Sequence, residues 1–274
     1  MSASARAATP SLSDRARAAC RLRARVLAGL AVLLLLPFAA GAQSPDAHAE
    51  AGRAFDTLRA SQPDRMPRIA EPEGAAVLRV LGDAPRFLDA VRYGPDDLAV
   101  LSDLCDRERT AITDYTGFRA QQQGQFVASV VVANMLEFQE ELAVLQPFLA
   151  RCIARQVPVA EGLLRQLGER QAAQLRLGGL RRSQAVLLQL YAGVASCLSD
   201  ARFGPSYCGL LDVMAELAPV HARALPLASR AMVTRMLPAV EQVPAGPRRQ
   251  AVQRIAEAMA IDRCTSLCLL GAGP

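Results

Sequence analysis

The chain has 274 residues, 31 of them basic and 26 acidic, for a formal charge of +5. Residues 1–42 hold six Arg and one Asp, so 43–274 carries 25 basic and 25 acidic residues and is formally neutral; without a basic surplus to displace counterions, no nucleic-acid partner is expected. Every basic residue is Arg, which excludes Schiff-base catalysis and a phosphate loop ending in Lys, and the lack of Trp argues against the aromatic platforms of sugar-binding grooves.

At the N-terminus, Arg21, Arg23 and Arg25 precede an apolar stretch, 26–40, with the run Leu33-Leu34-Leu35-Leu36. Ala40-Gly41-Ala42 then offers small residues where a signal peptidase reads them. This order is that of a secretory signal peptide, with cleavage before Gln43. The stretch is shorter than the roughly 20 apolar residues of a spanning helix and contains Pro37, so no membrane anchor is expected after cleavage. No cysteine follows closely for lipid attachment, since Cys20 lies upstream, and no twin-arginine pair is present. The expected location is periplasmic or secreted.

The remainder reads as helices. A leader and first helix span 43–61. Residues 62–72, with Pro63, Pro67 and Pro72, form a linker or extended wrap. Short helices follow at 73–81, 84–93 and 96–113, the last with Asp96 and Asp97 where the helix dipole favours negative charge. The longest uninterrupted helical pattern is 119–146. Pro147 should kink or end it, with 148–156 continuing. A helix over 160–177 closes on Gly178-Gly179, read as a C-cap. Helices at 183–198 and 207–217 come next, then 220–240, split by Pro226 and Pro238, and finally 247–261. No stretch alternates apolar and polar residues as a strand would; the run Val130-Val131-Val132 lies inside a helical pattern. The connections are short, as in antiparallel packing, and no fixed repeat period appears. The expected fold is therefore all-α: an irregular antiparallel helical bundle, disulfide-stabilised, after a cleaved signal peptide. Its organisation is a signal peptide at 1–42, an N-terminal helix and Pro-rich linker at 43–72, and a helical domain at 73–274.

Six cysteines follow residue 42, an even number that suits disulfides in an oxidising compartment. Cys197 ends one apolar helical segment and Cys208 opens the next, across a turn containing Gly204-Pro205, so a bridge between them would staple a helical hairpin. Cys264 and Cys268 could bridge each other, or each reach Cys105 and Cys152. Three residues separate Cys264 from Cys268, so this is not the thioredoxin-type motif.

No catalytic, metal or cofactor motif is present. The two histidines, His48 and His221, do not form the His-Glu-x-x-His of zinc proteases, and no haem, di-iron, nucleophile-elbow or phosphate-loop pattern occurs. His48 reads as mobile near the new N-terminus, and His221 as a surface or half-buried residue at a helix start. One polar set stands out. On the 119–146 helix, Asn134, Glu137 and Glu141 fall within the apolar arc of Val127, Val131, Phe138, Leu142 and Leu145. Carboxylates there are costly unless paired. Either they pair with core arginines, or they form a polar pocket able to bind a cation or amine or to act as acid and base. The expected function is that of a non-catalytic binding or scaffolding protein of the cell envelope, with other envelope proteins as partners. The alternatives are a carrier of an apolar ligand such as a lipid, and an unfamiliar hydrolase using the carboxylates of the long helix.

Overall fold

A computed structural model describes residues 45–120, 128–167, 178–264 and 266–271. The segment read from the sequence as a signal peptide, with Arg21 to Ala42, lies outside the described residues, as does Val127. The described residues are helical with no strand, an irregular bundle of the kind the periodicity implies. In chain order the helices are α1 (Pro45–Ser61), α2 (Pro72–Leu81), α3 (Leu98–Thr116), α4 (Ala128–Glu137), α5 (Gln139–Gln166), α6 (Gly178–Ser199), α7 (Pro205–Cys208), α8 (Leu210–Ala224), α9 (Leu227–Met236), α10 (Pro247–Met259) and α11 (Ser266–Gly271). Proline supplies the first residue of α1, α2, α7 and α10, where its missing N–H costs nothing and its fixed φ suits the helix.

The central element is α5, which packs against α3 on one side and α8 on the other, while α10 lies against α8 and α1 against α2 and α3. Its Leu142, Leu145, Phe148, Leu149 and Ile153 are each at most 2% exposed. That burial explains why α5 continues through both Pro147 and Pro158, although each removes a helical hydrogen bond and typically costs ~3 kcal/mol. Tertiary packing outweighs the local penalty, and Pro147 does not terminate the helix as the sequence suggests. The same holds for α8, which runs through Pro219.

Three further boundaries differ from the sequence reading. The single helix over 119–146 is two helices joined at a kink. The chain leaves α3 at Gly117, Arg119 takes a left-handed φ of 62°, and Phe138 (φ −108°, ψ 24°) separates α4 from α5. The cause is aromatic packing: the Phe138 ring sits 5.3 Å from Tyr115 and 5.7 Å from Phe118. Gly178-Gly179 stands in the first turn of α6, while residues 168–177, the larger part of the expected 160–177 helix, lie outside the described residues. Ser183 is therefore inside α6, where its hydroxyl donates to the Gly179 carbonyl. The segment 84–93 widens into a π-helical turn, Pro85–Asp89.

Disulfides join Cys105 to Cys152, Cys197 to Cys208, and Cys264 to Cys268. The first ties α3 to α5, the second staples the α6–α7 corner, and the third closes the loop entering α11. In the chain-entropy account, bridges enclosing loops of this length contribute about 4, 3 and 2 kcal/mol respectively. Three disulfides suit an oxidising, extracytoplasmic compartment. Among the described residues no helix is long and apolar enough to cross a membrane.

The C-terminal segment is held by Arg230 of α9, which is 2% exposed. Its guanidinium donates to the carbonyls of Leu225, Ile261 and Arg263. One buried cation thereby satisfies three carbonyls that the turns leave without partners.

Candidate binding cleft

The three polar residues singled out on the long helix are each engaged in contacts within the fold. Asn134 is buried, and its amide donates to the carbonyls of Thr116 (3.0 Å) and Phe118 (2.6 Å), capping the end of α3. Glu141 is fully buried; its Oε1 accepts from the Ile69 amide (2.9 Å) and lies 3.2 Å from Arg68 Nε. The Glu137 side chain is 43% exposed and lies 3.8 Å from Arg68 and 4.0 Å from Arg119. Arg68 also donates to the Glu137 carbonyl and lays its guanidinium 4.9 Å from the centre of the Phe138 ring. Nearby, the Tyr115 hydroxyl donates to the Pro67 carbonyl. These contacts fasten the proline-rich wrap, 62–71, across the α4–α5 kink. The arrangement is an anchor, built from a buried carboxylate and the backbone amide and cation it needs.

Both histidines are buried, against the sequence expectation for each. His221 lies near the end of α8 with its Nε2 3.1 Å from the Ala150 carbonyl, so that nitrogen carries the proton. Nδ1 then accepts from the Tyr191 hydroxyl at 3.3 Å. Burial lowers its pKa to about 4. It is a satisfied core residue linking α5, α6 and α8. His48 on α1 is different. It stacks on Phe148 (5.0 Å), meets Phe87 edge-on (5.2 Å), and faces the equally buried Glu108 of α3 at 3.6 Å. Neither its ring nitrogens nor the Glu108 oxygens have a well-formed hydrogen bond among the described residues. Burial, assisted by the Arg107 charge, lowers the His48 pKa to about 4, while burial pushes the Glu108 carboxyl well above its ordinary value. The pair sits between α1 and α3.

An open, mainly aliphatic cleft lies elsewhere. A cleft of about 250 Å³ runs between α3, α5 and α6. Leu149, Ile153, Val157, Ala160, Leu163 and Leu164 of α5 supply its floor. Val186, Ala224 and Leu267 close one wall, and Leu98 lies at the edge. Helix periodicity produces this floor: residues 149, 153, 157, 160 and 164 recur at three and four positions, the spacing of one helix face. A polar crossbar spans it. Gln156 Nε2 donates to Ser102 Oγ (3.3 Å), and Ser183 Oγ lies 3.2 Å from Gln156 Oε1, its one proton shared between that oxygen and the Gly179 carbonyl, joining α3, α5 and α6. Asp106, Arg109 and Arg182 complete the lining. Arg109 Nε donates to Asp106 Oδ1 at 3.0 Å within α3. Arg182 is exposed and has no ion-pair partner among the described residues.

Two disulfides border the cleft. Cys105 contributes to its lining, so the Cys105–Cys152 bridge fixes the spacing of α3 and α5 at that point. Leu267 lies inside the five-residue loop closed by Cys264 and Cys268, and packs with Val157 and Ala224. No His, Cys, Asp or Glu cluster suited to a metal ion occurs among the described residues. The cleft was not legible in the sequence because its three walls are brought together only by tertiary packing. Its one local trace is Gln156, a polar residue interrupting the apolar face of α5. Comparison with known proteins returned no match: no family model, no curated protein and no solved structure is significantly similar to this chain.

Proposed function

We propose that this is a non-catalytic binding protein of the periplasm or extracellular space, and that it holds the apolar chain of a small ligand in the cleft between α3, α5 and α6. The observation that supports this reading is the cleft itself: a disulfide-braced concavity with an aliphatic floor and a few convergent polar groups, the common make-up of small-molecule sites. Its volume is slightly below the ~300 Å³ at which such sites usually begin, which suits a single short chain rather than a lipid with two. The signal-peptide pattern at 1–42 and the three disulfides support the periplasmic or secreted placement. The carboxylates on which the hydrolase alternative depends are engaged in fastening the proline-rich wrap.

Native mass spectrometry of the protein titrated with 1-decanol tests the binding reading. One decanol per chain is expected for the parent, and none for Ala160→Phe, which places a ring over the aliphatic floor. No bound alcohol on the parent, or equal uptake by the filled variant, contradicts it. Export is tested separately. N-terminal sequencing of the exported protein should begin within a few residues of Gln43, and a mature chain retaining residues 1–42 would remove that part of the proposal.

A further inference from the structure

We infer that the cleft selects amphiphiles with one short apolar chain and an anionic head, and that Arg182, helped by Arg109, reads the head. The inference rests on the apolar-cleft reading and deepens it. Its basis is the charge left over at the polar side of the lining. Two guanidinium groups and one carboxylate, that of Asp106, contribute there. The contact between Asp106 and Arg109 engages only Nε of the guanidinium. The terminal nitrogens of Arg109, and the whole charge of Arg182, are without an anionic partner among the described residues. A Cβ at Gly179, itself a lining residue, would lie 3.9 Å from Arg182 Nη2, so the guanidinium lies back over the first turn of α6, beside the cleft.

The crossbar adds a neutral donor. Ser102 Oγ accepts from Gln156, and its own hydroxyl proton has no acceptor among the described residues. An occupant with its chain on the aliphatic floor would therefore meet two guanidinium donors and a hydroxyl donor at the polar side. Guanidinium groups bind carboxylates through paired, charge-assisted hydrogen bonds. A cationic head would face a net positive rim, and a neutral one would leave the Arg182 charge unused.

The test uses three ten-carbon probes below their micelle concentrations: decanoate, 1-decanol and decyltrimethylammonium. Affinities are measured by isothermal titration calorimetry on the full mature chain, at pH 7.5 and low salt. Decanoate should bind about tenfold more tightly than decanol, and the ammonium probe more weakly than either. Arg182→Gln should erase the decanoate preference while decanol still binds, which a merely misfolded variant would not do. Raising the salt should weaken decanoate alone, because exposed charges are screened. Equal affinity for decanoate and decanol would overturn the head-group inference while the cleft reading stands; so would a preference for the ammonium probe. Failure of all three probes to bind, or decanoate binding that survives Ala160→Phe, would overturn both.

Discussion

Two places in this bundle gather charged and polar groups against apolar walls, and they differ in whether the groups left over face an open concavity. Around Glu141, one carboxylate oxygen, the Ile69 amide and the Arg68 guanidinium serve one another, and Arg68 covers Phe138 besides, while the second oxygen is buried with no hydrogen-bond partner among the described residues. In the α3–α5–α6 cleft, Gln156, Ser102 and Ser183 form a chain of hydrogen bonds, but Arg182 stays without an anion and the aliphatic floor stays open. Polarity inside a fold is thus no sign of function by itself. What separates an anchor from a binding cleft is a donor or charge left over where a ligand can reach it. Substitutions at the anchor should cost stability and spare binding; substitutions at the cleft should do the reverse.

The largest effect is expected from the buried groups outside both places, which set the pH range in which the comparison can be made. His48 and His221 have folded pKa values of about 4, against 6.5 when unfolded. Between those values the unfolded chain takes up protons that the folded chain refuses, so stability falls as pH drops from 6.5 to 4. Each histidine contributes up to about 3 kcal/mol to that loss. Glu108 acts in the opposite direction. Its folded pKa is raised above 4.5, so rising pH ionises the unfolded chain first and stability is lost. Denaturant melts across pH should show the acid-side fall, and Glu108→Gln should be more stable than the parent at pH 7.5, with the gain vanishing by pH 4.5. A gain that persists unchanged at pH 4.5 would show that ionisation of Glu108 is not its source.

At the anchor, Glu141→Gln should lower stability by about 2–3 kcal/mol, somewhat less than the ~3–5 for a fully buried pair, because the Arg68 side chain is 32% exposed and can recover water. Asn134→Ala removes two hydrogen bonds to carbonyls at the α3 terminus and should cost about 1–2 kcal/mol. Glu137→Gln, at a side chain 43% exposed, should cost under about 1 kcal/mol. All three should leave decanoate affinity within twofold of the parent, read by calorimetry. A Glu137→Gln loss as large as that of Glu141→Gln would break the distinction between the buried and open members of the anchor.

Much of the fold could be read from the sequence, for reasons that also explain where the reading stopped. The helical pattern of 247–259 and the turn between Cys197 and Cys208 are local features, and local rules describe them. Pro147, Pro158 and Pro219 are local signals as well, yet each sits inside a helix because burial on two sides outweighs a lost hydrogen bond. The kink at Phe138 depends on Tyr115 and Phe118, some twenty residues earlier, and no periodicity reports that. Asn134 and Glu141 were marked by their place on an apolar arc, but only the folded chain shows that their partners are Thr116, Phe118, Arg68 and Ile69. His48 looked mobile from its position near the expected cleavage point; Phe87, Phe148 and Glu108, from three other segments, bury it. The cleft is non-local in the same way, since Ser102, Gln156 and Arg182 are far apart in the chain.

The central claim is that the cleft is a binding site, and filling it is the most direct test. Calorimetric titration of decanoate into the parent and into Ala160→Phe, with thermal melts of both, should show saturable one-to-one binding to the parent, at least a tenfold loss in the filled variant, and melting temperatures within a few degrees of each other. Equal decanoate affinity in two equally folded proteins would contradict the account.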